Sequence, residues 1–240
     1  MPREKHPTCA SCEVPSQKRS CLQRDGKGPD NCPTLTQQEL TERASRALQD
    51  PGTLEFARQA SLQEAEGYAN RDLGYSRLQP IKPRIAEIVE FAARMGYKRL
   101  GLAFCAGLAA EAEAVHRILE TNGFQVISAI CKAGGVPKSS LGLEQSEHID
   151  RQAEEETMCH PVLQAYLLEH FRSELNILLG LCVGHDSLLL QHVRAPCTVL
   201  AVKDRLLGHA PLAAVYNLSS YYRYLNQPIV QIREDEQDRF

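Results

Sequence analysis

The sequence predicts an α/β fold, a small parallel sheet of four strands flanked by helices, on three observations. Short apolar runs alternate with segments of helical period between Arg99 and Asp204, the pattern of strands joined by crossover helices. The segments between those runs carry helix start or stop signals. Residues 1–33, by contrast, are polar and show no apolar periodicity, so they stand outside the sheet domain and need something other than a hydrophobic core to order them.

From Thr34 to Met95 the pattern is helical. Thr36 with Glu39 reads as a capping box ahead of Leu40, Ala44, Ala47 and Leu48, and Asp50-Pro51-Gly52 ends that helix. A second helix starts near Thr53. Pro83 suits the first turn of a third, whose Ile85, Ile88, Val89 and Ala92 share a face and which Gly96 terminates.

The expected strands are Arg99–Cys105, Gln125–Cys131, Asn176–Cys182 and Cys197–Asp204. The helix Ala109–Asn122 lies between the first two, with a stripe of Ala112, Val115, Ile118 and Leu119 and Gly123 as its stop. Further helices are expected at Pro161–His170, Ser187–Val193 and Pro211–Leu225. Gly134 to Glu156 is polar and acidic at Glu154-Glu155-Glu156, an excursion from the sheet with a solvated face. The whole reads as a Rossmann-like sheet domain. Its organisation is a four-cysteine module at 1–33, then a helical lead-in and the α/β domain at 34–226 with the sheet from about residue 97, then a charged tail at 227–240.

Composition narrows the function. Of 240 residues 43% are hydrophobic, enough for a core, and the net charge of −3 gives no electrostatic footprint for nucleic acid. No apolar stretch is long enough to span a membrane and the first residues lack a secretory apolar segment, so a cytoplasmic protein is expected. In that reducing compartment nine cysteines suggest metal binding or thiol chemistry rather than disulfides. GxGxxG, GxxxxGK[ST] and GxSxG are all absent, so no nucleotide cofactor and no serine nucleophile are predicted.

Two cysteine constellations remain. Cys9 and Cys12, separated by two residues, can grip one ion from a tight turn, and Cys21 and Cys32 complete a tetrahedral sulfur set for Zn²⁺ or an Fe–S centre. Metal-binding free energy would then serve as folding free energy for that segment. The second set comes from the strands. Cys105, Cys131 and Cys182 stand at three strand ends, on the carboxyl edge where ligands bind in open α/β sheets. With strand order 2-1-3-4, Cys105 and Cys182 face each other at the switch point and Cys131 stands one strand further out. Cys159, just before the helix at Pro161, joins them with an acidity raised by the helix N-terminus. Cys197 starts a strand and is left on the opposite edge.

Polar residues gather at the same edge. His185 is a candidate metal ligand or acid/base group, oriented by Asp186 or Asp204. Lys203, Asp204, Arg205 and His209 are candidates to hold a small substrate.

The motifs Glu90-Phe91-Ala92, Met95-Gly96-Tyr97, Leu102-Ala103-Phe104-Cys105, Cys131-Lys132-Ala133-Gly134-Gly135, Met158-Cys159-His160-Pro161, Gly180 to Asp186, Val202 to Arg205 and Leu207-Gly208-His209, with Asn31-Cys32-Pro33 near the N-terminus, resemble an uncharacterised family of prokaryotic proteins. Its members are described as predicted metal-binding proteins and carry a domain of unknown function. The resemblance implies metal binding and names no reaction; the frequency of such proteins in anaerobes implies an oxygen-sensitive Fe–S centre. His160 stands where many relatives are expected to have Asn.

The sequence therefore predicts a metal-binding protein, an enzyme or redox carrier. An Fe–S cluster, [4Fe–4S] first, or Zn²⁺ is held by Cys9, Cys12, Cys21, Cys32, Cys105, Cys131, Cys159 and Cys182. Cys182, His185 and Asp186 act on a small molecule or serve a redox partner. Two alternatives stand beside it: a non-catalytic zinc-binding or metal-sensing module, and a cysteine-nucleophile redox or sulfur-transfer enzyme.

Overall fold

The computed structural model describes residues 5–230; the last part of the expected charged tail, 231–240, lies outside the described residues. The chain divides into two compact units at Gln79 and Pro80.

The first unit holds the cysteine-bearing turns and three helices: α1 (Pro33–Thr36), α2 (Gln38–Ala47) and α3 (Pro51–Glu66). Asp50 caps α3, accepting from the Thr53 N–H at 3.0 Å. The capping box expected of Thr36 does not form. Thr36 is the last residue of α1, its hydroxyl donates to the Cys32 carbonyl at 3.0 Å, and α2 starts without a side-chain cap. Among the described residues of this unit no apolar side chain is buried.

The second unit is an α/β domain. Its strands are β1 (Arg99–Phe104), β2 (Gln125–Ile130), β3 (Leu175–Leu181) and β4 (Cys197–Val202), all parallel in the order β2-β1-β3-β4. Helix α4 (Arg84–Arg94) leads in, α5 (Ala109–Thr121) links β1 to β2, α6 (Pro161–His170) precedes β3, and α7 (His185–His192) links β3 to β4. β3 is buried at every residue, which explains its unbroken apolar run. Leu100 and Leu102 of β1, Ile177 and Leu178 of β3, Leu119 of α5, Leu168 of α6 and Leu189 of α7 form the centre of the core. Arg84 at the start of α4 donates to the Val199 carbonyl at 2.6 Å and to Thr198 Oγ1 at 3.0 Å, fixing that helix to β4.

Gly180 interrupts the β3–β4 register. It takes φ +66°, and a Cβ there would stand 2.7 Å from Leu108 Cδ1, so glycine is required by both conformation and space. The helix expected at Pro211–Leu225 is reduced to α8 (Leu212–Tyr216) followed by a 3₁₀ turn at Arg223–Asn226. No residue of α8 is buried, and Leu212, Val215 and Tyr216 are exposed, so no core contact extends the helix past Asn217. No helix among the described residues is long and apolar enough to cross a membrane.

Candidate metal centre

In the first unit the four cysteines line one small pocket of about 100 Å³. Cys9 and Cys12 are joined by a 3₁₀ turn closed by the Cys12 N–H on the Cys9 carbonyl at 3.3 Å. Arg19 ties that turn to the next: its guanidinium donates to the Val14 carbonyl at 2.7 Å and the Cys12 carbonyl at 2.9 Å. Ser20 and Lys27 close the loop that carries Cys21 through the Ser20 N–H on the Lys27 carbonyl at 2.9 Å. Cys32 approaches Ser20 Oγ at 3.4 Å, and this hydrogen bond holds its thiol below the ordinary cysteine range. Asn31 donates to the His6 carbonyl and to Thr8 Oγ1, which fastens the Cys32 end to the segment before Cys9. The pocket is thus assembled by polar contacts.

In the second unit the hydrogen-bond ladder runs one residue beyond β1, β2 and β4. The Cys105 N–H donates to the Leu179 carbonyl at 3.1 Å, that of Cys131 to Phe104 at 2.9 Å, and that of Lys203 to Leu181 at 3.1 Å. The first three strands therefore end just before Cys105, Cys131 and Cys182, one residue earlier than the sequence suggests. Cys105 and Cys131 are buried, 9% and 3% exposed, while Cys182 is half-buried. Cys105 and Cys182 follow the adjacent strands β1 and β3.

Cys159 returns to this edge at the end of the long excursion. The excursion closes at its neck: the Lys138 N–H donates to the Glu156 carbonyl, the Met158 N–H to Val136 and the His160 N–H to Cys131, at 2.8, 2.8 and 2.7 Å. Lys138 and Glu156 add an ion pair at 3.1 Å, and Lys132 donates to the Thr157 carbonyl. Cys159 Sγ thereby comes to 3.7 Å from Cys131 Sγ. The Cys131 sulfur also accepts from the Ala106 N–H at 3.3 Å and interacts with the Cys105 thiol.

The two thiols share this contact unequally. The hydrogen bond with Cys131, helped by the nearby Lys132 charge, brings the Cys159 pKa down to about 7. The same hydrogen bond and burial push the Cys131 thiol up. The sequence attributes the acidity of Cys159 to a helix N-terminus; the contact with Cys131 is a further source. The cap of α6 is His160, whose Nδ1 accepts from the Leu163 N–H at 3.2 Å. Cys105 and Cys182 both act on Cys159 electrostatically, each raising its pKa slightly against the larger lowering effects.

His185 opens α7 and is half-buried; burial lowers its pKa, with Lys132, Arg205 and Lys138 adding to the effect against Asp186. Neither expected orienting carboxylate hydrogen-bonds its ring. Asp186 accepts from the Ser187 N–H at 2.8 Å, and Asp204 accepts from the N–H groups of Leu206 and Leu207 at 3.0 and 2.8 Å. His209 Nδ1 accepts from the Asp204 N–H at 3.1 Å, closing the same loop. Arg205 donates to Cys182 Sγ at 3.0 Å. Cys197 lies at the opposite edge beside Ala195.

Three residues join the site that the sequence does not single out. Lys132 directly follows Cys131. Gly107 leaves room for Lys203, whose Nζ is 3.1 Å from where a Cβ would stand. Gln164, fully buried, donates through Nε2 to the carbonyls of Phe104 at 3.2 Å and Ala129 at 2.7 Å, clamping the ends of β1 and β2. The visible signal for Gln164 is a polar residue among apolar ones in α6. As the side chains stand, no group of three or more His, Cys, Asp or Glu among the described residues is arranged to hold a metal ion.

Residues 32–200 match the family model described as Protein of unknown function (DUF1847), and the chain belongs to that family. It is also 40% identical over 141 residues to an uncharacterized protein of Methanocaldococcus jannaschii, covering 59% of this chain and 69% of the relative. The family match begins at Cys32 and includes Cys105, Cys131, Cys159 and Cys182.

Proposed function

We propose that this member of the family is a metal-binding protein whose functional centre is the thiol cluster of Cys105, Cys131, Cys159 and Cys182, with the N-terminal cysteines forming a second, structural site. The observation that carries the reading is the 3.7 Å separation of Cys131 and Cys159. Tetrahedral metal–thiolate bonds of about 2.3 Å place neighbouring sulfurs about 3.8 Å apart. That spacing fits two ligands on one ion, Zn²⁺ or a single iron, better than a [4Fe–4S] cluster in which each iron takes its own cysteine. Closing the shell requires Cys182 to leave Arg205 and turn to the ion.

The N-terminal set fits metal for a different reason. Its four thiols share one small pocket in a segment without a buried apolar side chain, where an ion supplies the free energy a core would otherwise give. A bound ion would hold substrate or electrons at the carboxyl edge, and the chain's own part is to position the sulfurs, keep water from the buried Cys105 and Cys131, and surround the centre with Lys132, Lys203 and Arg205.

A second reading is favoured by one observation, the unequal acidity of the Cys131–Cys159 pair. It suits thiol redox chemistry in which Cys159 attacks and Cys131 resolves. The variant Cys131→Ser separates the two. The metal reading predicts that it loses one of two metal equivalents while keeping its fold; the thiol reading predicts unchanged metal content with loss of an oxidisable dithiol.

A further inference from the structure

We propose that an oxyanion subsite adjoins the thiol cluster, formed by the ammonium of Lys203 and the guanidinium of Arg205, and that the small molecule handled there carries a carboxylate, phosphate or sulfur-oxyanion group. The inference deepens the reading above and rests on it for the identity of the neighbouring centre.

Lys203 is half-buried, yet among the described residues no hydrogen bond or ion pair engages its Nζ. An ammonium with no protein partner can donate a charge-assisted hydrogen bond to an anion. Its place is fixed from both sides. The backbone is held by the Lys203 N–H on the Leu181 carbonyl, and Gly107 clears the path of the side chain. The position of a Gly107 Cβ would lie 3.1 Å from Lys203 Nζ and 4.0 Å from Cys105 Sγ, so a side chain at Gly107 would crowd the ammonium and touch that thiol.

Arg205 gives the second charge. One of its nitrogens donates to Cys182 Sγ at 3.0 Å, and a guanidinium has five N–H donors in a planar fork suited to oxyanions. Among the described residues no carboxylate pairs with either cation: Asp204 Oδ1 accepts within its own loop, Asp186 Oδ1 accepts from the Ser187 N–H, and Glu156 pairs with Lys138. Asp204 and His209 thus also rigidify the loop that presents the two cations. Burial lowers the basicity of half-buried His185, and Lys132 and Arg205 add to that effect against Asp186, so both cations act on this edge.

The competing role for these cations is to neutralise thiolates. Calorimetric titration of the full-length protein with inorganic phosphate, sulfate and acetate, with metal content measured on the same samples, decides between them. The wild type is expected to bind at least one probe saturably, the preferred probe giving the oxyanion class. Lys203→Met should weaken that binding about tenfold or more with unchanged metal content, as loss of a charge-assisted hydrogen bond implies. Gly107→Ala, which crowds the ammonium, should weaken it too while circular dichroism reports an intact fold. Binding by a wild type that carries no metal would support the subsite and remove the metal reading. No saturable binding by the wild type, or equal binding by Lys203→Met, overturns the subsite; so does a Lys203→Met protein that loses metal and keeps its anion affinity.

Discussion

The sulfur atoms of Cys131 and Cys159 lie 3.7 Å apart although 28 positions separate the residues. The contact depends on the closed neck of the excursion, where the His160 N–H meets the Cys131 carbonyl at 2.7 Å. It couples the two thiols: one hydrogen bond stabilises the Cys159 thiolate and keeps the Cys131 proton in place.

That coupling predicts a pH profile for protein stripped of metal by a chelator. The reactive species is the thiolate, so a lowered pKa moves reactivity to lower pH. Alkylation of Cys159, followed by mass spectrometry, should rise through a midpoint near pH 7 and fade below it. Cys131→Ala removes the hydrogen-bonding partner, and the midpoint should climb toward the ordinary cysteine range. A wild-type midpoint near 9 would contradict the assignment.

Gln164 should matter to stability and to the thiols together. Gln164→Leu removes the side-chain donor from the Ala129 carbonyl and leaves the Phe104 carbonyl with the Cys131 N–H, at a cost of about 1–3 kcal/mol in urea unfolding. The buried Gln164 Oε1 has no hydrogen-bond partner, so its removal offsets part of that loss. Because those carbonyls lie just ahead of Cys105 and Cys131, the variant should also bind metal at this edge more weakly. Unaltered stability and metal affinity would remove the clamp from the account.

Gly28 tests the N-terminal pocket. A Cβ there would sit 2.6 Å from both Cβ and Sγ of Cys32, too close for either atom. Gly28→Ala should displace Cys32 and lower metal content by one equivalent, leaving the second unit's thiols as they are. Full metal content in this variant would show that Cys32 is not a ligand.

Much of the sheet was legible because its signals are local. The apolar runs before Cys105, Cys131 and Cys182 mark β1, β2 and β3, and the strand order places those cysteines at one edge. The return of Cys159 was only partly legible: its place before Pro161 is visible in sequence, while its contact with Cys131 comes from the backbone hydrogen bonds of the neck. Thr36 and the helix at Pro211–Leu225 show the converse. Each carries a local pattern for helix, and each is decided by what the rest of the unit offers, the Cys32 carbonyl one turn back for Thr36 and no core for Leu212 and Val215. Gln164 and Gly107 leave little trace in sequence, since their roles depend on carbonyls and an ammonium brought from distant positions.

The central claim is that the thiols of this chain hold metal. Metal and acid-labile sulfide per chain, with the visible spectrum, measured on protein purified without oxygen from iron-supplemented cells, test it most directly. The account predicts two metal equivalents per chain, one lost in Cys131→Ser and the other in Gly28→Ala. Protein that arrives free of metal and sulfide, with all nine cysteines reacting as thiols, would contradict it.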